Sequence, residues 1–116
     1  MYNKRSIGSE YENMAVEYLK NHGYKIIERN FYCKQGEIDI IAKNENYLVF
    51  VEVKYRRGQD KGHPVDAVNY KKQNRIIKSA KYYMYKNNIK EGQGVRFDVV
   101  AILGENIELI KDAFWI

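Results

Sequence analysis

The chain is poor in cysteine, proline, tryptophan and histidine: 116 residues hold one Cys, one Pro, one Trp and two His. A lone Cys33 excludes an intrachain disulfide and a multi-cysteine zinc site, and it suits a reducing compartment. His22 and His63 lie far apart without ligand spacing, so each reads as a cap or surface residue rather than a metal ligand or base. With one proline and scattered glycines there is no linker, low-complexity segment or internal repeat, so residues 1–116 read as one domain. That length supports a core burying about two-thirds of the unfolded surface. No apolar run approaches the roughly 18 residues of a membrane span, and "MYNKRSIGSEYENM" lacks the apolar centre of a signal peptide. The expectation is a cytoplasmic protein with no membrane partner.

What is present is mildly basic: 20 Lys+Arg against 15 Asp+Glu, a net charge of +5. That balance favours a polyanionic partner, nucleic acid first, without the lopsidedness of a ribosomal or chromatin protein. Eleven tyrosines suit half-buried amphipathic packing, with base stacking as the other use.

Residues 7–22 place Ile7, Tyr11, Met14, Ala15, Tyr18 and Leu19 in one helical arc that "NHG" stops. "YKIIERNFYC", "GEIDIIA" and "YLVFVEVKYR" read as three strands, with "KNEN" as the turn between the last two. Pro64 opens a helix running to about Asn87, and "VRFDVVAIL" and "IELI" close the chain as strands. The order αβββαββ implies an α/β fold, a mixed sheet flanked by helices.

The stretch "GEIDIIAKNENYLVFVEVK" threads charges through an apolar run. Alternate side chains of a strand share a face, so Leu48, Phe50, Glu52 and Lys54 point one way and Val49, Val51, Val53 and Tyr55 the other. Glu37, Asp39 and Ile41 share a face of the preceding strand. A turn pairing Ala42 with Tyr47 sets Asp39 opposite Phe50 and diagonal to Glu52, so Asp39, Glu52 and Lys54 converge.

Two carboxylates about 4 Å apart repel by roughly 4 kcal/mol at an effective dielectric near 20. A divalent cation reverses the sign. Mg²⁺ (or Mn²⁺) takes hard oxygen ligands and commonly one or two carboxylates, which suits Asp39, Glu52 and the carbonyl of Val53. Lys54 then stands beside the metal as a point charge able to orient water or stabilise a phosphate. These are the parts of metal-dependent phosphodiester hydrolysis. The competing reading is a same-face Glu52–Lys54 ion pair on a solvated sheet, worth under about 1 kcal/mol.

Asp39, twelve residues, then Glu52-Val53-Lys54 resembles the D…(D/E)-x-K signature of the restriction-endonuclease-like PD-(D/E)XK nucleases. More closely, the chain is similar to the YraN family of small bacterial endonuclease-like proteins, akin to Holliday-junction resolvases. The likeness runs from "E-x-x-A-x-x-YL" at 12–19 through "GY" at 23–24, "RN" at 29–30, "GEIDIIA", "VFVEVK", "G-x-P" at 62–64, "KQ" at 72–73 and "RFDVV" to "AF" near the end. It departs at Tyr11, where the family pattern usually has glycine. The resemblance implies a restriction-endonuclease-like fold, Asp39 and Glu52 as metal ligands and Lys54 as the catalytic lysine. It adds Glu12 as a further acid from the first helix and Gln73 as a polar partner from the second. It also implies a homodimer, since resolvase-like proteins make paired cuts as dimers, though no residue identifies an interface.

Each residue has a structural competitor. Ser9-x-x-Glu12 matches a capping box that closes a first helical turn. Gln73 falls amid Ile76, Ile77, Ala80 and Met84, where a buried amide bonded to backbone serves equally. Glu37 is a supporting group or a rim charge, and Arg96 and Asp98 share a strand face as a structural or supporting pair. "KYRRGQDKGH" follows the third strand with Arg56, Arg57 and Lys61 able to hold phosphates. On the second helix Lys71, Lys72 and Arg75 are further candidates for nucleic-acid contact, and Lys71, Arg75, Lys78 and Lys86 form an outer stripe. Two function classes result: a Mg²⁺-dependent endonuclease on DNA, branched or otherwise structured, or a non-catalytic nucleic-acid-binding or assembly module. An RNA-directed nuclease is the weaker third.

Overall fold

A computed structural model describes residues 4–56 and 68–116. Its elements are α1 (Lys4–Asn21), β1 (Lys25–Cys33), β2 (Gly36–Asn44), β3 (Tyr47–Arg56), α2 (Tyr70–Lys86), β4 (Gly94–Leu103) and β5 (Asn106–Phe114). The expected order αβββαββ is the observed one.

The five strands form one sheet in chain order. β1–β2, β2–β3 and β4–β5 are antiparallel, while β3 and β4 are parallel. A parallel pair needs a crossover, and α2 lies on it. Each helix covers one face. Ala15, Val16 and Leu19 of α1 pack on Ile40, Val49, Val51 and Val100. Ile76, Ala80 and Tyr83 of α2 pack on Ile41, Leu48, Phe50 and Phe97. Rings reinforce the second core, with Phe97 stacked between Phe50 at 5.7 Å and Phe114 at 5.0 Å, and Tyr83 edge-on to Phe50 at 5.8 Å. β3 is therefore covered on both sides over most of its length, so a charge on it needs a partner.

Element ends differ from expectation for local reasons. α1 starts at Lys4 rather than Ile7, and it ends in a 6→1 bond from Tyr24 N–H to Leu19 O of 3.0 Å around Gly23, whose φ is +86°. His22 reaches Tyr18 O at 2.7 Å and acts as a cap. α2 starts at Tyr70, not Pro64: Asn69 caps it by accepting from Lys72 N–H at 2.8 Å, and Val68 before it is buried. β5 outruns "IELI" because Asp112, at φ +56°, and a register shift opposite Phe97–Val99 let pairing resume at Phe114. Pro64 and His63 lie outside the described residues.

Arg96 and Asp98 form a buried pair on the α1 side of β4. Arg96 Nε and Nη2 donate to the two Asp98 oxygens at 2.9 Å each, and Arg96 Nη2 also reaches Asn44 Oδ1 at 2.7 Å. Tyr24 O–H donates to Asp98 at 2.6 Å, and Asp112 N–H adds a bond of 2.9 Å. Burial and the Asp98 bond raise the Tyr24 phenol well above its ordinary value, so it stays a neutral donor. This cluster ties the β1 entry to β2, β4 and β5. Removing one member strands the other charge in a dry site. Arg96→Ala is expected to lower the unfolding free energy by about 3–5 kcal/mol in a urea titration; a loss under about 1 kcal/mol would show that Asp98 finds another cation.

Candidate active site

The β2–β3 turn is tighter than "KNEN" suggests. Lys43 and Asn44 belong to β2, and Glu45, at φ +57°, helps close a two-residue turn. Ala42 pairs with Val49, not Tyr47, and Asn44 pairs with Tyr47. The shift is two residues, so the paired side chains from Ile40 to Val51 keep their expected faces. Extended by one residue beyond Ile40↔Val51, that register moves Asp39 from opposite Phe50 to across from Glu52.

At Asp39 the β2–β3 ladder stops and the β1–β2 ladder skips a pair. β2–β3 pairing ends at Ile40↔Val51, and β1–β2 pairing passes from Arg29↔Ile40 to Phe31↔Ile38 around Asn30, whose φ is +54°. Ile38 packs on the α2 side while Ile40 packs on the α1 side, so β2 rolls over at Asp39. The carboxylate takes the place of a strand partner: Asp39 Oδ2 accepts from Val53 N–H at 2.8 Å. The contact found for Val53 is thus through its N–H, while its carbonyl was the expected ligand.

Glu52 is 4% exposed, on the face that carries Leu48 and Phe50. Lys54 Nζ lies 3.8 Å and Lys72 Nζ 3.5 Å from its Oε2. Burial and the Glu52 carboxyl hydrogen-bonded against it push the Asp39 carboxyl up to about 8, opposed by the Val53 N–H and the Lys72 charge. Two acids and two ammonium groups therefore share a pocket of the sheet that water reaches only in part.

Lys72, expected to contact nucleic acid, is placed by the fold against Glu52, with its side chain about a third exposed. The signal was available, since Lys72 stands i, i+4, i+7 and i+11 with Ile76, Ser79 and Tyr83, all buried on α2. A lysine on a buried stripe requires an acid beneath it.

Glu12 is 8% exposed and held by β1: Arg29 Nε and Asn30 Nδ2 each donate to its Oε1 at 3.0 Å. Position 9 is inside α1, which begins at Lys4, so the capping-box reading fails. Asn30 lies across from Asp39 in the β1–β2 register, yet among the described residues no three Asp, Glu, His or Cys side chains close on one point. Glu12 is thus tied to β1 at Asn30, the position that faces Asp39. Tyr11, in place of the family glycine, stacks on Tyr55 of β3 at 3.7 Å. Gln73 donates to Val68 O at 2.9 Å, a bond to backbone. Glu37 is exposed, and so are Arg56, Lys71 and Arg75. Arg57 and Lys61 lie outside the described residues.

The Asp39 shift has a sign. Its folded value near 8 exceeds the unfolded value of about 3.9, so the fold keeps a proton that the unfolded chain has lost. In metal-free protein, stability should fall as pH rises from about 4 to about 8, by at most about 1.4 kcal/mol per unit for one proton. Urea titrations across that window should give a flatter profile for Asp39→Asn; identical profiles for both proteins would contradict the coupling.

Residues 11–102 match the description "Uncharacterised protein family UPF0102". A UPF0102 protein of Lachnoclostridium phytofermentans is 50% identical over 112 residues, covering 97% of this chain and 95% of that protein. One from Clostridium botulinum (strain 657 / Type Ba4) is 48% identical over 121 residues, covering 99% and 98%, and one from the Loch Maree strain is 46% identical with the same coverage. On both the family match and these full-length likenesses, the chain belongs to the UPF0102 family.

Proposed function

We propose that the chain is a divalent-metal-dependent nuclease of the PD-(D/E)XK type, hydrolysing phosphodiester bonds in DNA, branched or otherwise structured. The observation that carries this reading is the contact of Asp39 and Glu52 carboxyls at a break in the sheet, with Lys54 and Lys72 beside them. A sheet gains no stability from opposing two buried acids. The donor set fits a small hard cation: two carboxylates, with the Asp39 carboxyl raised first by burial and then by the Glu52 carboxyl against it.

Asp39 and Glu52 would hold Mg²⁺ or Mn²⁺. Such a cation, when bound, supplies polarisation of a phosphoryl oxygen and a water acidified for attack. The chain's own groups do the rest. Val53 N–H fixes the orientation of the Asp39 carboxylate, and the surrounding core keeps both acids from rotating into solvent. Lys54, partly exposed, presents an ammonium to a phosphate oxygen where charge grows. Arg29 and Asn30 hold the Glu12 carboxylate beside the break, a positioning role for this acid.

A second reading, a non-catalytic nucleic-acid-binding or assembly module, draws on one observation: two lysines already balance Glu52. Metal separates the two. The nuclease should nick flaps, junctions or single strands with Mg²⁺ or Mn²⁺, and Asp39→Asn should cut activity by at least about 100-fold, since even groups outside the ligand shell typically cost 10–100-fold. Mn²⁺ should also raise the melting temperature of the wild type and not of Asp39→Asn. Inactivity across that panel, with no metal-dependent melting shift, would leave the binding module.

A further inference from the structure

The outer face of α2 holds a charge arrangement that the acidic pair does not explain. Its seventeen residues, "YKKQNRIIKSAKYYMYK", contain six cations and no acid. Lys72 turns inward, and the other five, Lys71, Arg75, Lys78, Lys81 and Lys86, are exposed. At 100° per residue these five fall within one arc of about 140°. Among the described residues none of them makes an ion pair, whereas the exposed Lys20 of α1 is paired with Glu17 at 3.9 Å. Like charges on successive turns oppose helix formation by a few tenths of a kcal/mol per pair. A row kept without carboxylates wants an anion from outside.

We infer that this face is a docking surface for the phosphodiester backbone of a nucleic acid, running along α2 toward the Asp39–Glu52 pair. Charge complementarity selects the occupant. The face spans about 25 Å, long enough to meet several phosphates of one strand. Its other large side chains, Tyr70, Tyr82 and Tyr85, are exposed rings able to lie against sugars or bases. No leucine, isoleucine, phenylalanine or tryptophan projects from this arc, which is the composition an anionic membrane would need for insertion. The face meets the acidic site at the first turn, where Lys71 points out and Lys72 points to Glu52. Five unpaired cations thus lead to the two carboxylates. The inference deepens the nuclease reading and rests on it for direction, but binding itself needs no catalysis.

The test is fluorescence anisotropy of labelled 20-mers in EDTA, as duplex DNA, duplex RNA and single strands, over a KCl series. The wild type should lose affinity linearly on logarithmic axes, and Lys78→Glu/Lys81→Glu should bind at least about tenfold more weakly, with a salt slope shallower by about 2. Lys20→Glu/Lys25→Glu changes net charge equally away from α2 and should lose less than about threefold. Thermal melts confirm that both variants fold. Equal losses in the two variants, or tighter binding to anionic vesicles than to any 20-mer, would overturn the proposal, and the favoured 20-mer names the source of the backbone. Binding through α2 without cleavage would sink the nuclease reading alone; cleavage with α2-independent binding would sink this surface alone.

Discussion

Two acids facing each other across β2 and β3 are the constraint around which this end of the molecule is arranged. Asp39 and Glu52 sit where the ladders on both sides of β2 are interrupted, and each interruption serves the pair. Ending the backbone pairing at Ile40 frees Val53 N–H to donate to Asp39, so the strand bond is replaced rather than lost. On the other side Asn30 leaves the ladder in a left-handed conformation and binds Glu12. α2 enters the same balance, because its first turn, set by the Asn69 cap, delivers Lys72 to Glu52. β1, β2, β3 and the first turn of α2 thus all contribute where the acids meet.

The protein holds a second charged cluster that shows what a purely structural solution looks like. Arg96 and Asp98 are matched atom for atom, with both carboxylate oxygens and the guanidinium engaged and Tyr24, Asn44 and Asp112 closing the shell. Nothing there asks for a further ligand. At Asp39 and Glu52 the matching is incomplete: the lysines stand at 3.5 and 3.8 Å from one oxygen of Glu52, and burial with the Glu52 carboxyl beside it raises the Asp39 carboxyl. A fold able to satisfy Arg96 and Asp98 so fully could have satisfied this pair. The contrast supports reading one cluster as scaffold and the other as site.

Much of this was legible in the sequence because the informative signals were periodic. Alternation in "YLVFVEVK" fixed which side chains share a face, and it tolerated an error in the turn, since a two-residue slip preserves parity where a one-residue slip would have sent Asp39 to the far side. Signals that depend on single local choices were less legible. Pro64 was a plausible helix start, but Asn69 supplied the cap. Ser9 and Glu12 have capping spacing, yet α1 had already begun at Lys4, so Glu12 was free to reach β1. β5 was cut short because the irregularity at Asp112 breaks the alternation on which strand reading depends. Tyr24 and Asn44 gave no signal, as their partners are distant in the chain.

Lys72 teaches the most about α2. Its neighbours in sequence, Lys71 and Arg75, are exposed, and composition alone groups the three as one basic run. Helical geometry divides them: a step of one residue turns the side chain by about 100°, enough to move it from solvent to the core face. One helix therefore presents cations in two electrostatic settings. Lys72, beside a buried carboxylate, is held by an interaction that salt screens weakly, while the outward cations are screened within about 10 Å at 0.1 M salt. The outer row responds to ionic strength more than the inner lysine does, so binding along α2 can be changed with less effect on the acidic pair.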